Sequence, residues 1–395
     1  MLPIPRLSPG LPRSPRSPPV FPVFPVFPVF PAFPVFPAFP VFPAFPAFQV
    51  SAGLRRSPPV SPRPAGPLAV TVRGYRGKQR SMPAFASSGD LEEKQQTLEI
   101  VGDGVYALTA EGDPNVGAIE ADDFLVCFEA MATPTAARQW LARLREHTDK
   151  PIRYLVLSHY HAVRVLGASA FGADVIVSHA NTRALIEERG QQDWESEYGR
   201  MPRLFKDPGS IPGLTLPTLT FTDRLAIDLG GGRFLELHHL GRGHTEGDIV
   251  AWLPDERILF AGDLVEARAA LYTGDAFHRE WSTTTLDRVA ALGARTLIGG
   301  RGPVTREVGA AIGQTRDFLE VMLREVGAAH GRGGTLKEAF DAAHAALAPR
   351  YGGWPIFEHC LPFNVSRLWD ELDGVERPVI WTAERDRAVW DLLQS

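Results

Sequence analysis

Residues 152–161, IRYLVLSHYH, decide the fold. The run is apolar almost throughout, the pattern of a strand covered on both faces in a parallel sheet, and it stops on Ser158 and two histidines. In α/β sheets, sites gather at the carboxyl ends of strands. His159 and His161 therefore stand where a site is expected. In an extended or tightly turned segment, side chains two residues apart point to one side, so both imidazoles can face the same space.

Upstream, TLEIVGDGVYALTA (97–110), VGAIEA (116–121) and DFLVCFEA (123–130) are short β-rich segments broken by Gly and Asp, which suits consecutive antiparallel strands. TPTAARQWLARLREHTD (133–149) has helical spacing at Trp140, Leu141 and Leu144, with Thr133 or Thr135 as the cap. Downstream the alternation continues. ADVIVSH is a strand and ANTRALIEERG a helix; strands follow around LTFTDRLAIDL, RFLELHHL, DIVAWL and RILFAGD, then a helix and the strand TLIGG. Two blocks of strands, each followed by helices, predict an α/β (α+β) αββα sandwich of two mixed sheets with helices outside. From Thr305 onward the pattern is helical, predicting a C-terminal extension that packs on the sandwich and walls its pocket.

The N-terminal part is different in kind. From Pro19 to Phe48 the chain repeats P-V-F or P-A-F, and proline at every third position excludes helix and sheet and favours extended polyproline II. The predicted division is a disordered Pro-rich leader over 1–89, the sandwich domain over 90–310 and a helical extension over 311–395. As a transit peptide the leader fails, because its proline density forbids an amphipathic helix. A spacer, a ligand for a proline-binding module, or a segment upstream of an internal start such as Met82 are the readings left open.

The formal net charge is −5, but residues 1–81 carry ten Arg or Lys and no acid, leaving about −15 on the rest. A folded part of that sign repels nucleic acid, so the expected partner is a small molecule. Two cysteines without CxxC spacing, Cys127 and Cys360, indicate neither a disulfide framework nor a zinc finger. No apolar run reaches the ~18 residues of a membrane span. These features predict a soluble, cytoplasmic protein; the oligomeric state is not readable.

Two further segments carry candidate chemistry. GRGHTEGD (241–248) puts His244 in a Gly-rich loop between strands, and FAGD (260–263) puts Asp263 at a strand end. Three imidazoles and a carboxylate from three strand ends suit zinc, which takes four N, S or O ligands tetrahedrally. Each piece alone is weak, since a lone histidine is more often structural. His238 and His239 alternate on a strand, so at most one can face the site. Asp248 is expected to fix the loop that positions His244. Tyr272 and Asp275, in YTGDAFHREW, are expected to contact substrate. His359 and Cys360, in WPIFEHCLPF, read as packed residues ahead of a helix.

The order of these motifs, S-H-x-H, then G-H-T-x-G-D, then F-x-G-D, then G-x-G-P, resembles the metallo-β-lactamase superfamily over roughly residues 95–310. The resemblance implies a metal-dependent αββα hydrolase with its site where the two sheets meet. It implies that His159, His161 and His244 hold a first metal and that Asp263 is the carboxylate shared with a second. The departures are as specific. The family's motif Asp falls on Val163, its next His on Arg164, and the His of its late turn on Arg301. A guanidinium has donors and no lone pair to give a cation.

Arg164 and Arg301 together carry +2, the charge of the metal whose ligands are gone. The expectation is one Zn2+ per chain, with iron or manganese as alternatives. Zinc would lower the pKa of bound water from about 15.7 towards 7, and the arginines would receive an anionic substrate group or a developing oxyanion. With Val163 unable to orient the water, Asp263, Arg164 and Arg301 are the expected catalytic residues, acting on an ester, thioester, lactone or similar acyl bond. The competing readings are a non-catalytic protein of this fold that binds an anionic ligand, with buried Arg–Asp pairs, and a Pro-rich scaffold with a passenger domain.

Overall fold

The computed structural model describes residues 85–394, so the repeats of the leader lie outside the described residues. The first sheet runs β1 (Gln96–Gly102), β2 (Val105–Ala110), β3 (Val116–Glu120), β4 (Leu125–Phe128), β5 (Ile152–Val156), β6 (Val175–His179) and β7 (Leu219–Phe221), hydrogen-bonded in chain order. The pairs from β1 to β4 are antiparallel and those from β4 to β7 parallel. Three helices accompany this sheet: α1 (Pro134–Leu144), α2 (Ala162–Val165) and α3 (Ala180–Arg200).

The second sheet comprises β8 (Arg224–Gly230), β9 (Arg233–His238), β10 (Val250–Leu253), β11 (Ile258–Gly262) and β12 (Thr296–Gly299), in the order β12-β11-β10-β9-β8. All its pairs are antiparallel except β11 with β12. The short helices α4 (His278–Glu280) and α5 (Leu286–Ala291) lie between those two strands, and α6 (Val308–Gly331), α7 (Leu336–Tyr351), α8 (Phe357–Leu372) and α9 (Ala383–Gln394) follow. The result is the expected αββα sandwich of two mixed sheets with a helical C-terminal region.

Burial follows the sequence pattern. Leu155 and Val156 of β5 are fully buried, because a parallel strand is covered on both faces. Val126, Phe128, Val156, Leu235 and Phe260 form the core between the sheets, where the Phe128 and Phe260 rings lie 5.4 Å apart. Trp140 and Leu144 fill the layer under α1. Thr133 caps α1 through a 3.1 Å bond from the Ala136 amide, with Pro134 in the first turn where no amide donor is missed.

The extension is bound by burial and by polar clamps. Phe363, Leu368, Trp381 and Trp390 join the core beneath the second sheet. The α8 side chain of Asn364 donates to Leu271 O (2.8 Å) and accepts from the Thr273 amide (2.6 Å), and Trp381 donates to Gly274 O (2.9 Å). Helix α8 begins earlier than its sequence suggests, so His359 and Cys360 lie in its first turn rather than ahead of it. Pro362 hides this start. It leaves the Glu358 carbonyl without a helical donor, which is tolerable because Glu358 is exposed.

Candidate metal centre

His159 and His161 stand in the turn between β5 and α2, and His244 in the loop between β9 and β10. Their ligand nitrogens all lie within 4.8 Å of one another. The rings meet edge to face, with centroids 4.6–4.8 Å apart, and each residue is at most 2% exposed. His161 Nδ1 and His244 Nε2 are 2.9 Å apart, and His159 Nε2 is buried with no hydrogen-bond partner.

Every outward nitrogen, by contrast, is held by an oxygen. His159 Nδ1 is 2.8 Å from Ser158 Oγ, His161 Nε2 is 3.2 Å from Asp275 Oδ2, and His244 Nδ1 is 2.8 Å from Tyr272 O. Such outer bonds fix ring orientation and, in a neutral ring, leave the inner nitrogen as a lone pair. Burial holds His159 well below its ordinary pKa and His244 down to about 3, so both are neutral donors. At His161, burial is outweighed by Asp193, Asp275 and Glu197, which carry it up to about 9. Three neutral or neutralisable imidazoles, one with an orphaned nitrogen, fit a tetrahedral cation such as zinc.

Supporting residues explain why the chain turns here. Ser158 Oγ donates to Glu129 Oε1 in a very short bond, and Glu129, just beyond β4, has φ +66°. Burial pushes the Glu129 carboxyl up to about 7. Side chains on β11 would crowd this place: a Cβ on Gly262 would stand 2.7 Å from Ser158 Oγ, and its φ of +54° also favours glycine. Asp193 and Glu197 of α3 accept the first amides of α2, at 2.6 Å from Ala162 and 3.0 Å from Val163. Asp248 accepts from both the amide (2.8 Å) and the hydroxyl (2.7 Å) of Thr245, tying the loop that carries His244.

Asp263 reaches the triad, with Oδ2 3.6 Å from His244 Nε2 and 3.9 Å from His159 Nε2. Its other oxygen is taken by the Arg164 guanidinium, which is wholly buried and also donates to Gly300 O (2.8 Å) and Asn115 O (3.1 Å). Burial would raise the Asp263 carboxyl, but Arg164, His159, His244 and Arg301 hold it far below the usual range. Arg301 follows β12 and donates to Gly112 O (3.0 Å). Its backbone amide bonds Glu266, whose carboxyl is pushed well up by burial and by Asp263. Arg164 thus contacts Asp263 directly, whereas Arg301 acts on it through space.

The remaining expected residues fall into place unequally. Tyr272 lies with its ring 5.5 Å from His161 and 6.0 Å from His244. Asp275 is buried against His161 and 3.9 Å from Arg189, a place that orients the imidazole. His238 bonds Glu236 (2.9 Å), while His239 stacks on His179 (4.2 Å) and bonds Asp248 O, so neither joins the triad. His278 is engaged by Thr273 and Glu371, at 2.8 Å each. Cys127 and Cys360 are free, buried, and pushed up to about 12 by burial. Glu129, Asp193, Glu197 and Arg200 carry no sequence signal that singles them out. A cavity of about 390 Å³ is lined by Val163, Met131, Pro114, Arg203 and Lys206, without the three histidines. Among the described residues, no helix is long and apolar enough to cross a membrane.

A buried cluster of three histidines, able to hold a metal ion, thus sits at the edge between the two mixed sheets of an αββα fold. Residues 110–301 match the family described as the metallo-beta-lactamase superfamily. The chain is 40% identical over 95 residues to a metallo-beta-lactamase type 2 of Bacteroides fragilis, covering 23% of this chain and 37% of that protein. It is 27% identical over 150 residues to a metallo-beta-lactamase type 2 of Bacillus sp. (37% and 50% covered). It is 25% identical over 174 residues to a linear primary-alkylsulfatase of Pseudomonas sp. (38% and 33% covered). The chain thus spans only a third to a half of these relatives. Of solved structures, a metallo-beta-lactamase from Pontibacter korlensis has a TM-score of 0.46 at 19% identity, over 57% of this chain and 99% of that one. Residues 110–301 belong to the metallo-β-lactamase superfamily.

Proposed function

We propose that this protein is a zinc-dependent hydrolase of an ester, thioester, lactone or similar acyl bond in a small anionic substrate, with one metal ion per chain. The observation that carries the reading is the convergence of His159 Nε2, His161 Nδ1 and His244 Nε2, each backed by an oxygen on its outer nitrogen. Zinc held by these nitrogens would supply Lewis-acid activation of water and of the scissile group. Iron or manganese would use the same donors.

The chain's own residues do the rest. Ser158, Asp275 and the Tyr272 carbonyl hold the three rings, and Asp248 holds the His244 loop. Asp263, kept ionised by Arg164, faces the same space and accepts a hydrogen bond from the attacking water, which orients it. Arg164 and Arg301 stand in for the charge of a second cation and offer it no lone pair. Arg301 and Tyr272 face the substrate; Asp275 orients His161 instead of touching substrate. Residues 90–310 form the hydrolytic unit, and 311–395 the extension that walls it. The relatives' names denote a β-lactamase and an alkylsulfatase, which supports hydrolysis without choosing the bond.

Metal quantification on the purified full chain, with a panel of chromogenic esters and thioesters, tests the reading. About one zinc per chain with turnover of a panel member is expected. About two equivalents would overturn the one-metal assignment. A chain that stays free of metal after reconstitution would overturn the hydrolase, in favour of a non-catalytic anion binder. The closure of the triad, at most 2% exposed, is the observation on that side.

A further inference from the structure

Tyr272 has two sets of neighbours. One is the triad; the other is Arg200, the last residue of α3, whose guanidinium carbon lies 5.2 Å from the Tyr272 ring centre and 4.5 Å from that of Phe363. The Phe363 ring is also 6.3 Å from Tyr272 and 5.8 Å from His359, so it gathers all three polar side chains around itself. Arg200 and His359 are each 1% exposed and Tyr272 is 8% exposed.

These groups are short of acceptors. Both ring nitrogens of His359 have no hydrogen-bond partner, while Arg200 and the Tyr272 hydroxyl have little beyond each other. The carboxylate nearest Arg200 is Asp386, 3.6 Å from Nε. Burial, then the charges of Arg200 and Arg301, hold His359 well below its ordinary pKa, which leaves a neutral ring with one N–H to give. Buried donors without acceptors are unfavourable unless something supplies them. An oxyanion does so, and the planar fork of an arginine matches a carboxylate, phosphate or sulfate edge.

We infer that Arg200, His359 and Tyr272 form an anion subsite that receives the carboxylate, phosphate or sulfate group of the substrate, one aromatic ring away from the histidine triad. This rests on the hydrolase reading above and deepens it, assigning to α3 and the C-terminal extension the recognition that sequence placed on Arg164 and Arg301. Arg164 is consumed by Asp263, Gly300 and Asn115. Arg200 is held only by the Tyr272 hydroxyl and, at 3.6 Å, by Asp386. A cavity of about 250 Å³ is bordered by Arg203, Trp354, Ile356 and His359.

Calorimetric titration of the zinc-loaded and the metal-stripped full chain with inorganic phosphate, sulfate and acetate tests the subsite. At least one of these anions is expected to bind both forms, with affinity reduced tenfold or more in Arg200→Gln and several-fold in His359→Gln. The second variant exchanges one neutral side chain for another, so it keeps the test valid if the first is poorly folded. Binding of none of the anions, binding only to the zinc-loaded form, or equal binding by parent and variants would overturn the subsite. Zinc content measured on the same samples separates the two readings. A chain without zinc that still binds the anion through Arg200 keeps the subsite and loses the hydrolase.

Discussion

Replacing Arg164 by Met removes the charge facing Asp263 while keeping most of the side-chain volume. Asp263 is 5% exposed and Arg164 fully buried, so the carboxylate left behind cannot recruit bulk water. Breaking such a pair by deleting one partner costs about 3–5 kcal/mol. Two carbonyls, Gly300 O and Asn115 O, lose a donor as well. Arg301 continues to act on Asp263 through space, which favours the lower end of that range. At roughly 2 °C per kcal/mol for a chain of this size, the metal-stripped variant should melt ~6–10 °C below the parent. Adding zinc should narrow the gap, because a cation on the three imidazoles lies beside Asp263 and replaces the lost field, and ligand binding to the folded form alone stabilises it. The assay is a thermal melt in chelator, repeated over a zinc titration. A variant that melts within about 2 °C of the parent in chelator would refute the argument that Arg164 neutralises Asp263. A gap that zinc leaves unchanged would refute the placement of the metal beside it.

Other perturbations test different parts. A methyl on Gly300 would land on Asp263 Oδ1 and 2.9 Å from Arg164, so Gly300→Ala should lose about 1–3 kcal/mol and zinc retention together, whereas Gly309→Ala, with nothing within 4 Å, should do neither in a denaturant melt. His244→Ala should drop zinc to near background in elemental analysis while the chain stays folded by circular dichroism; retained zinc would remove His244 from the ligand set. Burial opposes ionisation of Glu371, but hydrogen bonds from His278 hold its carboxyl down to about 2. The folded pKa is thus depressed, so its contribution, about 3 kcal/mol at most, is present above pH ~4.5 and fades as pH falls towards 2. Glu371→Gln should flatten that part of the stability-versus-pH curve, as read by urea melts between those limits.

Legibility in the sequence followed the range of the interactions. The strand ending on His159 and His161 is visible because a parallel strand must be apolar along its whole length, and the loops bearing His244 and Asp263 are marked by glycine. Glu129 is hidden because its meaning depends on Ser158, 29 residues later, across the pairing of β4 with β5. The segment around Tyr272 and Asp275 looks like an open polar loop, yet α8 covers it through Asn364. Nothing local to either segment announces that contact. Likewise Arg200 and Asp386 meet only when α9 packs beside α3, and Pro362 masks the helix that carries His359.

The distribution of unfavourable burial argues that the closed interior is a binding place and not a decayed one. Each buried polar atom without a partner costs about 1–3 kcal/mol. His159 Nε2 and both nitrogens of His359 are such atoms, and ring contacts through His161, Tyr272 and Phe363 link their residues into one region. A fold kept only for its stability has no use for them, since apolar residues of similar volume there would be neutral or stabilising. The apolar packing of Phe363, Leu368, Trp381 and Trp390 offsets the cost. Local conflict of this kind, tolerated because the surroundings pack well, is what a site ready for ligands requires. A cation at the three imidazoles and an anion at Arg200 and His359 would satisfy both halves of it at once.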